Sequence, residues 1–201
     1  MKHLKHISIL LFVVLALVLL LTPKAEAATV ASGTCGAEGS DVNWVLDDMG
    51  TLTVTGTGEM QWEDPYEPPW ETRKSAIKMV VIGDGVTYIG AYAFNGCKNL
   101  TSVSFGSTVQ FIGKCAFYGC EKLIAVTIPD SVFEIGEYAF TECFGLTAVT
   151  LGNSVQFIGN GAFDNCAKLT TVTLPDSVES VGNFAFANCA ALSNVTFGKS
   201  V

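Results

Sequence analysis

Residues 109–131 read VQFIGKCAFYGCEKLIAVTIPDS, and the same frame returns from residue 132 and again from residue 155. Val86, Val109, Val132, Val155, Val178 and Val201 stand 23 residues apart. Between them the frame V-x-x-I/V-G-x-x-A-F-x-x-C-x-x-L-x-x-V-S/T-F/I/L-G/P-x-S/T recurs five times. A fixed period of this length marks a stacked-repeat architecture, in which one unit cannot bury its apolar face alone and its neighbours bury it instead.

The columns of the frame say how each unit is built. Ala93-Phe94, Ala116-Phe117, Ala139-Phe140, Ala162-Phe163 and Ala185-Phe186 set a small and a large apolar residue side by side in every turn. Three residues on stand Cys97, Cys120, Cys143, Cys166 and Cys189, and three further on Leu100, Leu123, Leu146, Leu169 and Leu192. Spacings of three predict a short helical or 3₁₀ segment with one buried face. After the leucine the period drops to two, as where Val172 and Leu174 alternate with Thr171 and Thr173; this predicts a half-buried strand. Gly106, Pro129, Gly152, Pro175 and Gly198 end the strands. Gly90, Gly113, Gly136, Gly159 and Gly182 supply a backbone angle or a close approach that a side chain would forbid. The expected fold is an α/β repeat, a right-handed solenoid with one parallel β-sheet whose strands ladder at roughly 4.8 Å.

The frame A-F-x-x-C-x-x-L-x-x-V-x-F/I/L-P resembles the BspA-like class of leucine-rich repeat. So does the upstream segment: Cys35-Gly36, then Val42-Asn43-Trp44-Val45-Leu46-Asp47, then Pro69-Trp70 before Ile77 to Ile82, resembles the N-terminal cap of that family. The resemblance implies a secreted or surface protein of host-associated microbes, often linked to adhesion, and names no ligand. The expected organisation is a leader over residues 1–27, a cap with a β-hairpin and an aromatic loop over 28–85, and five leucine-rich repeats plus the first residue of a sixth over 86–201.

Within the cap, Val42 to Leu46 and Thr51 to Thr55 read as a hairpin around Asp47-Asp48-Met49-Gly50. The hairpin is expected to cover the apolar end of the first turn. Calcium at Asp47 and Asp48 is disfavoured, because few ligands stand at a known loop spacing. The loop from Met60 to Ser75 holds Trp62, Tyr66 and Trp70 among prolines and carboxylates. Trp70 is expected to seal the cap against the first repeat. Trp62 and Tyr66 are candidates for gripping a partner, weighed against the same sealing role.

Seven cysteines in an exported chain would ordinarily suggest disulfides. Five of them share one repeat column, where parallel stacking holds Cβ atoms about 4.8 Å apart against the ~3.8 Å of a disulfide. They are expected to be buried thiols acting as small hydrophobes, and Cys35 and Cys115 are expected not to pair. The outward strand positions form two columns, Ser102, Ala125, Ala148, Thr171 and Asn194, and Ser104, Thr127, Thr150, Thr173 and Thr196. The second is hydroxyl in every turn, which makes it the candidate binding surface for a glycan or an extended protein segment. The competing reading is that threonine simply suits a solvated strand.

The start of the chain has Lys2 and Lys5, an apolar run from Ile7 to Leu21 and the small-residue pattern Ala25-Glu26-Ala27. These are the parts of a secretory signal peptide. Fifteen helical residues reach about 22 Å at ~1.5 Å each, short of the roughly 30 Å hydrocarbon core. Cleavage after Ala27 would remove both histidines, and three lysines and one glutamate would take the formal charge from −8 to −10. An acidic domain is a poor match for nucleic acid or an anionic membrane.

Without histidine, Ser-His-Asp, Cys-His and His-bearing zinc sites are unavailable, and no phosphate-binding glycine motif is present. The expected function is therefore non-catalytic binding without a cofactor: recognition of a host protein or glycan at the cell surface or in secreted form. The alternative is the non-catalytic N-terminal binding or spacer part of a larger surface enzyme, motivated by Val201 opening a further turn without a closing cap.

Overall fold

The computed structural model describes residues 27–62 and 67–199. The leader expected over residues 1–27 lies outside them except for its last position, and Tyr66 and Val201 lie outside them altogether.

The fold begins as an antiparallel layer in which β1 (Thr29–Thr34) pairs with β2 (Asp41–Asp47), and β2 with β3 (Thr51–Glu59). Alternation sorts the side chains: Val42, Trp44 and Leu46 of β2 and Leu52 and Val54 of β3 are buried, and the residues between them are not. Asp47 closes the hairpin, its Oδ1 accepting from the N–H groups of Met49 (2.9 Å) and Thr51 (2.7 Å). Asp48 accepts from the Ala28 N–H at 3.1 Å. Both carboxylates are thus used by the turn and by β1's approach to it.

β3 changes partner along its length. Thr51 to Val54 pair in parallel with β4 (Met79–Ile82), while Gly58 and Glu59 pair in parallel with β5 (Val86–Ile89). Gly56 makes the change possible: its φ is 114°, and a Cβ there would lie 1.6 Å from the Asp41 carbonyl oxygen. Only glycine meets both conditions. One cap strand therefore starts two ladders.

The first ladder runs from β4 to β6 (Ser102–Ser104) and resumes with β8 (Ala125–Thr127), β10 (Ala148–Thr150), β12 (Thr171–Thr173) and β14 (Asn194–Thr196). All are parallel and in repeat register, Ala125 beside Ala148, Ala148 beside Thr171, Thr171 beside Asn194. This is the expected sheet. The second ladder consists of β5, β7 (Phe111–Ile112), β9 (Glu134–Ile135), β11 (Phe157–Ile158) and β13 (Ser180–Val181). Its strands are too short to show a period of two, so the sequence pattern did not announce them. The glycine that follows each serves close approach: a Cβ on Gly113, Gly136, Gly159 or Gly182 would come within 2.5–2.8 Å of the preceding turn's backbone.

The A-F-x-x-C-x-x-L segments are not helical. Among the described residues the one helix is a 3₁₀ turn, Glu71–Ala76. Two columns explain this. Tyr92, Cys115, Tyr138, Gly161 and Phe184, and again Gly96, Gly119, Glu142, Asn165 and Asn188, have φ between 52° and 69°. A left-handed residue every fourth position stops a right-handed helix from propagating. The N–H groups of Tyr92, Phe94 and Gly96 instead donate to Lys114 (2.9 Å), Ala116 (2.7 Å) and Tyr118 (2.8 Å) in the next turn. The later turns repeat the pattern, so bonds that a helix would close within itself bind one unit to its neighbour.

The core is continuous through these turns. Phe94, Phe117, Phe140 and Phe163 are fully buried and stack with centroids 5.0–5.3 Å apart, ending on Phe186. Trp70 heads the column, 5.5 Å from Phe94 and nearly parallel to it, with its Nε1 donating to the Ala93 carbonyl at 2.7 Å. Trp70 thus seals the cap. All seven cysteines are free and buried. Cys120, Cys143, Cys166 and Cys189 each donate Sγ–H to the carbonyl of a phenylalanine 26 residues earlier, at 3.2–3.3 Å.

Candidate binding faces

Two columns on the first ladder separate hydroxyls that hold the fold from hydroxyls that do not. Just before the strands, Thr101, Thr147, Thr170 and Ser193 donate to the carbonyl of the preceding turn at 3.0–3.4 Å. At the last position of each strand, Ser104, Thr127, Thr150, Thr173 and Thr196 are all exposed. Their side chains make no hydrogen bond to any described residue. Beside them Ser102, Ala125, Ala148, Thr171 and Asn194 are exposed as well, so the face carries no charge from Ser102 to Thr196. A shallow recess of about 400 Å³ opens on it, lined by Ala148, Thr150, Thr171, Thr173 and Pro175 among others. The ion pairs of the repeats, Lys98–Glu121 (2.8 Å), Lys114–Glu137 (3.2 Å) and Lys199–Asp176 (3.7 Å), stand outside these columns. The Lys114 ammonium and the Asn160 amide hold the Glu137 carboxyl below its usual range, and hydrogen bonds from Ser107 do the same for Asp84. These are contacts between turns.

Trp62 is half-buried. Its ring meets Trp70 edge-on at 5.8 Å and covers Gly90, where a Cβ would approach the indole to 2.5 Å. The structure places it against the first repeat, apart from the strand face. Tyr66, its companion candidate, is outside the described residues.

The outer face of the second ladder has no counterpart among the positions expected from the sequence. Phe111 and Phe157 are each 36% exposed, and Phe133 lies between them with centroids 6.1 Å and 5.2 Å away. A signal existed: V-Q-F-I-G in two turns becomes V-F-E-I-G in the turn between. Without a second ladder to place them, the exchange carries no positional meaning.

Among the described residues no helix is long and apolar enough to cross a membrane, and no three His, Cys, Asp or Glu side chains are grouped to hold a metal ion.

A capped stack of parallel-strand turns with a continuous Phe–Cys–Leu core defines a leucine-rich-repeat solenoid. The chain belongs to the BspA-type leucine-rich-repeat family, six copies of whose repeat match residues 73–193, the first of them upstream of Val86. Among solved structures it is similar to the leucine-rich repeat protein of T. pallidum, at 31% identity over 81% of this chain and 71% of that one, with a TM-score of 0.58. It is also similar to a leucine rich cell surface protein of Faecalibacterium prausnitzii, at 27% identity over 85% of this chain and 56% of that one, TM-score 0.50. The pneumococcal vaccine antigen PcpA shares the fold, at 18% identity over 87% of this chain and 51% of its own, TM-score 0.54. No curated protein matches.

Proposed function

We propose that the protein is a secreted or cell-surface recognition protein that binds a host protein or a glycan, without catalysis, through the face of β6, β8, β10, β12 and β14. The observation that carries this reading is the contrast between the two hydroxyl columns. One column is used up by inter-turn hydrogen bonds, while Ser104, Thr127, Thr150, Thr173 and Thr196 leave donors and acceptors open on a flat, uncharged surface. Such groups suit a partner rich in hydroxyls or amides. The leader-like start of the chain and the surface description of the F. prausnitzii neighbour support an exported location.

The test is binding of the purified protein to an array of mammalian glycans and extracellular matrix proteins, followed by Thr127→Lys, Thr150→Lys and Thr173→Lys. Each is expected to weaken the captured interaction while leaving the circular dichroism spectrum unchanged. Unaltered affinity in all three variants would remove the strand face from consideration.

A further inference from the structure

The second ladder carries a separate binding surface. In each of three consecutive turns, one of the two outward positions is a phenylalanine and the other a hydrogen-bonding side chain: Gln110 with Phe111, Phe133 with Glu134, Gln156 with Phe157. Phe111, Glu134 and Phe157 are neighbours in the strand register. Although the exchange of order sets Phe133 one position aside from that column, its ring still lies 6.1 Å and 5.2 Å from its two neighbours, making one contiguous aromatic row. Scattered exposed apolar residues need no explanation, but a contiguous group on a surface does.

The row is not waiting for a missing part of its own turns. The backbone beneath it is paired through β7, β9 and β11, so no strand edge is open there. The Gln110 and Gln156 amides make no hydrogen bond to described residues, and Glu134 is exposed with no ion-pair partner among them. Aromatic carbon and unused polar groups thus alternate along the solenoid axis.

We propose that this row binds a linear, uncharged polysaccharide lying along the solenoid axis, with sugar C–H faces on Phe111, Phe133 and Phe157 and sugar hydroxyls on Gln110, Glu134 and Gln156. Sugars present an apolar face and a rim of hydroxyls, and the surface offers the complement of each. Three turns span roughly 10 Å at ~4.8 Å per turn, the length of about two linked hexoses. Charge favours a neutral polymer. Glu134, with Glu179 exposed two turns on in Phe133's column, repels polyanions, and the chain's net charge of −8 adds to this. A protein partner would anchor an aromatic or aliphatic side chain in a deep pocket, and the recess that Tyr88, Phe111 and Glu134 line is a shallow one of about 210 Å³. The site is independent of the threonine face.

The experiment is affinity electrophoresis of the full chain in gels containing mixed-linkage β-glucan, xyloglucan, galactomannan or soluble starch, with heparin as the anionic control. At least one neutral polymer is expected to retard the protein and heparin is not. In Phe111→Ala/Phe157→Ala the affinity for that polymer should fall by about tenfold, the worth of one or two aromatic stacking contacts. Gln110→Ala/Gln156→Ala, which removes one exposed and one half-buried amide that make no hydrogen bond to described residues, should also weaken it and guards against misfolding of the phenylalanine variant. Lys168→Ala, at an exposed position outside the strands of both ladders, should leave it unchanged. No retardation by any neutral polymer overturns the proposal. So does retardation lost in Thr150→Lys but kept in both row variants, or retardation by heparin alone.

Discussion

At the scale of single residues, the same column can be comfortable in one turn and strained in the next. The left-handed position is glycine at 161 but tyrosine at 92 and 138, cysteine at 115 and phenylalanine at 184. For a side chain with a Cβ the conformation costs roughly 1–2 kcal/mol, which the neighbouring turns must supply. Phe184 adopts it at φ 60° while 78% exposed, so it recovers little packing in exchange. Asparagine tolerates the left-handed region far better. Phe184→Asn is therefore expected to raise stability by about 1 kcal/mol, read as an upward shift of the urea midpoint. A drop would mean that Phe184 packs on something its exposure does not reveal.

At the scale of the element, the repeating unit is joined to its neighbours as much as to itself. The N–H groups of Phe117, Phe140 and Phe163 donate to Ala139, Ala162 and Ala185 in the following turn at 2.7–2.8 Å, and the rings of the same residues stack. Equivalent interfaces should be interchangeable. Deleting residues 132–154, one whole turn, is expected to give a shorter monomer that still unfolds cooperatively, with a lower melting temperature. Aggregation or loss of a cooperative transition on calorimetry would contradict this. This scale is also where the sequence was least explicit. The spacing of three in A-F-x-x-C-x-x-L is right for one buried face, yet it does not distinguish a helix from linked turns. The left-handed columns decide that, and Tyr92 or Phe184 gives no hint of such a conformation by residue type. The same blindness hid the Phe111–Phe133–Phe157 row, since two-residue strands carry no periodicity.

At the scale of the whole molecule, the buried thiols set an alkaline limit. Desolvation pushes Cys97 and Cys143 up to about 12 from an ordinary value of 9.0, and Cys35 likewise; Cys120 is raised by the same cause. Below pH 9 the thiols are protonated in both states and stability does not depend on them. Between about 9 and 12 the unfolded chain releases protons that the folded chain keeps, so unfolding gains roughly 1.4 kcal/mol per pH unit for each such thiol. The urea midpoint should accordingly be flat up to about pH 8.5 and fall steeply by pH 10.5, and Cys97→Ala/Cys143→Ala should reduce the slope. A midpoint independent of pH over that window would show that the thiols are not desolvated as a group.

What the sequence determined by itself is the solenoid, the frame of 23 residues, the buried Ala, Phe, Cys and Leu columns and the solvated threonine column. Each follows from repetition: five copies of one pattern average away local ambiguity, and a column that is apolar in every turn must face the core. Trp70 was legible on a different ground, the resemblance of Pro69-Trp70 to the family's cap, since the 23-residue period places Glu71 and not Trp70 in the Phe column. Tertiary structure alone decided that the linking segments are turns, that β3 divides between two ladders, which threonines spend their hydroxyls on the fold, and which phenylalanines meet on the outside. Those depend on hydrogen bonds and contacts between residues 22 or more apart, and a pattern read along one turn contains no information about which partner the next turn presents.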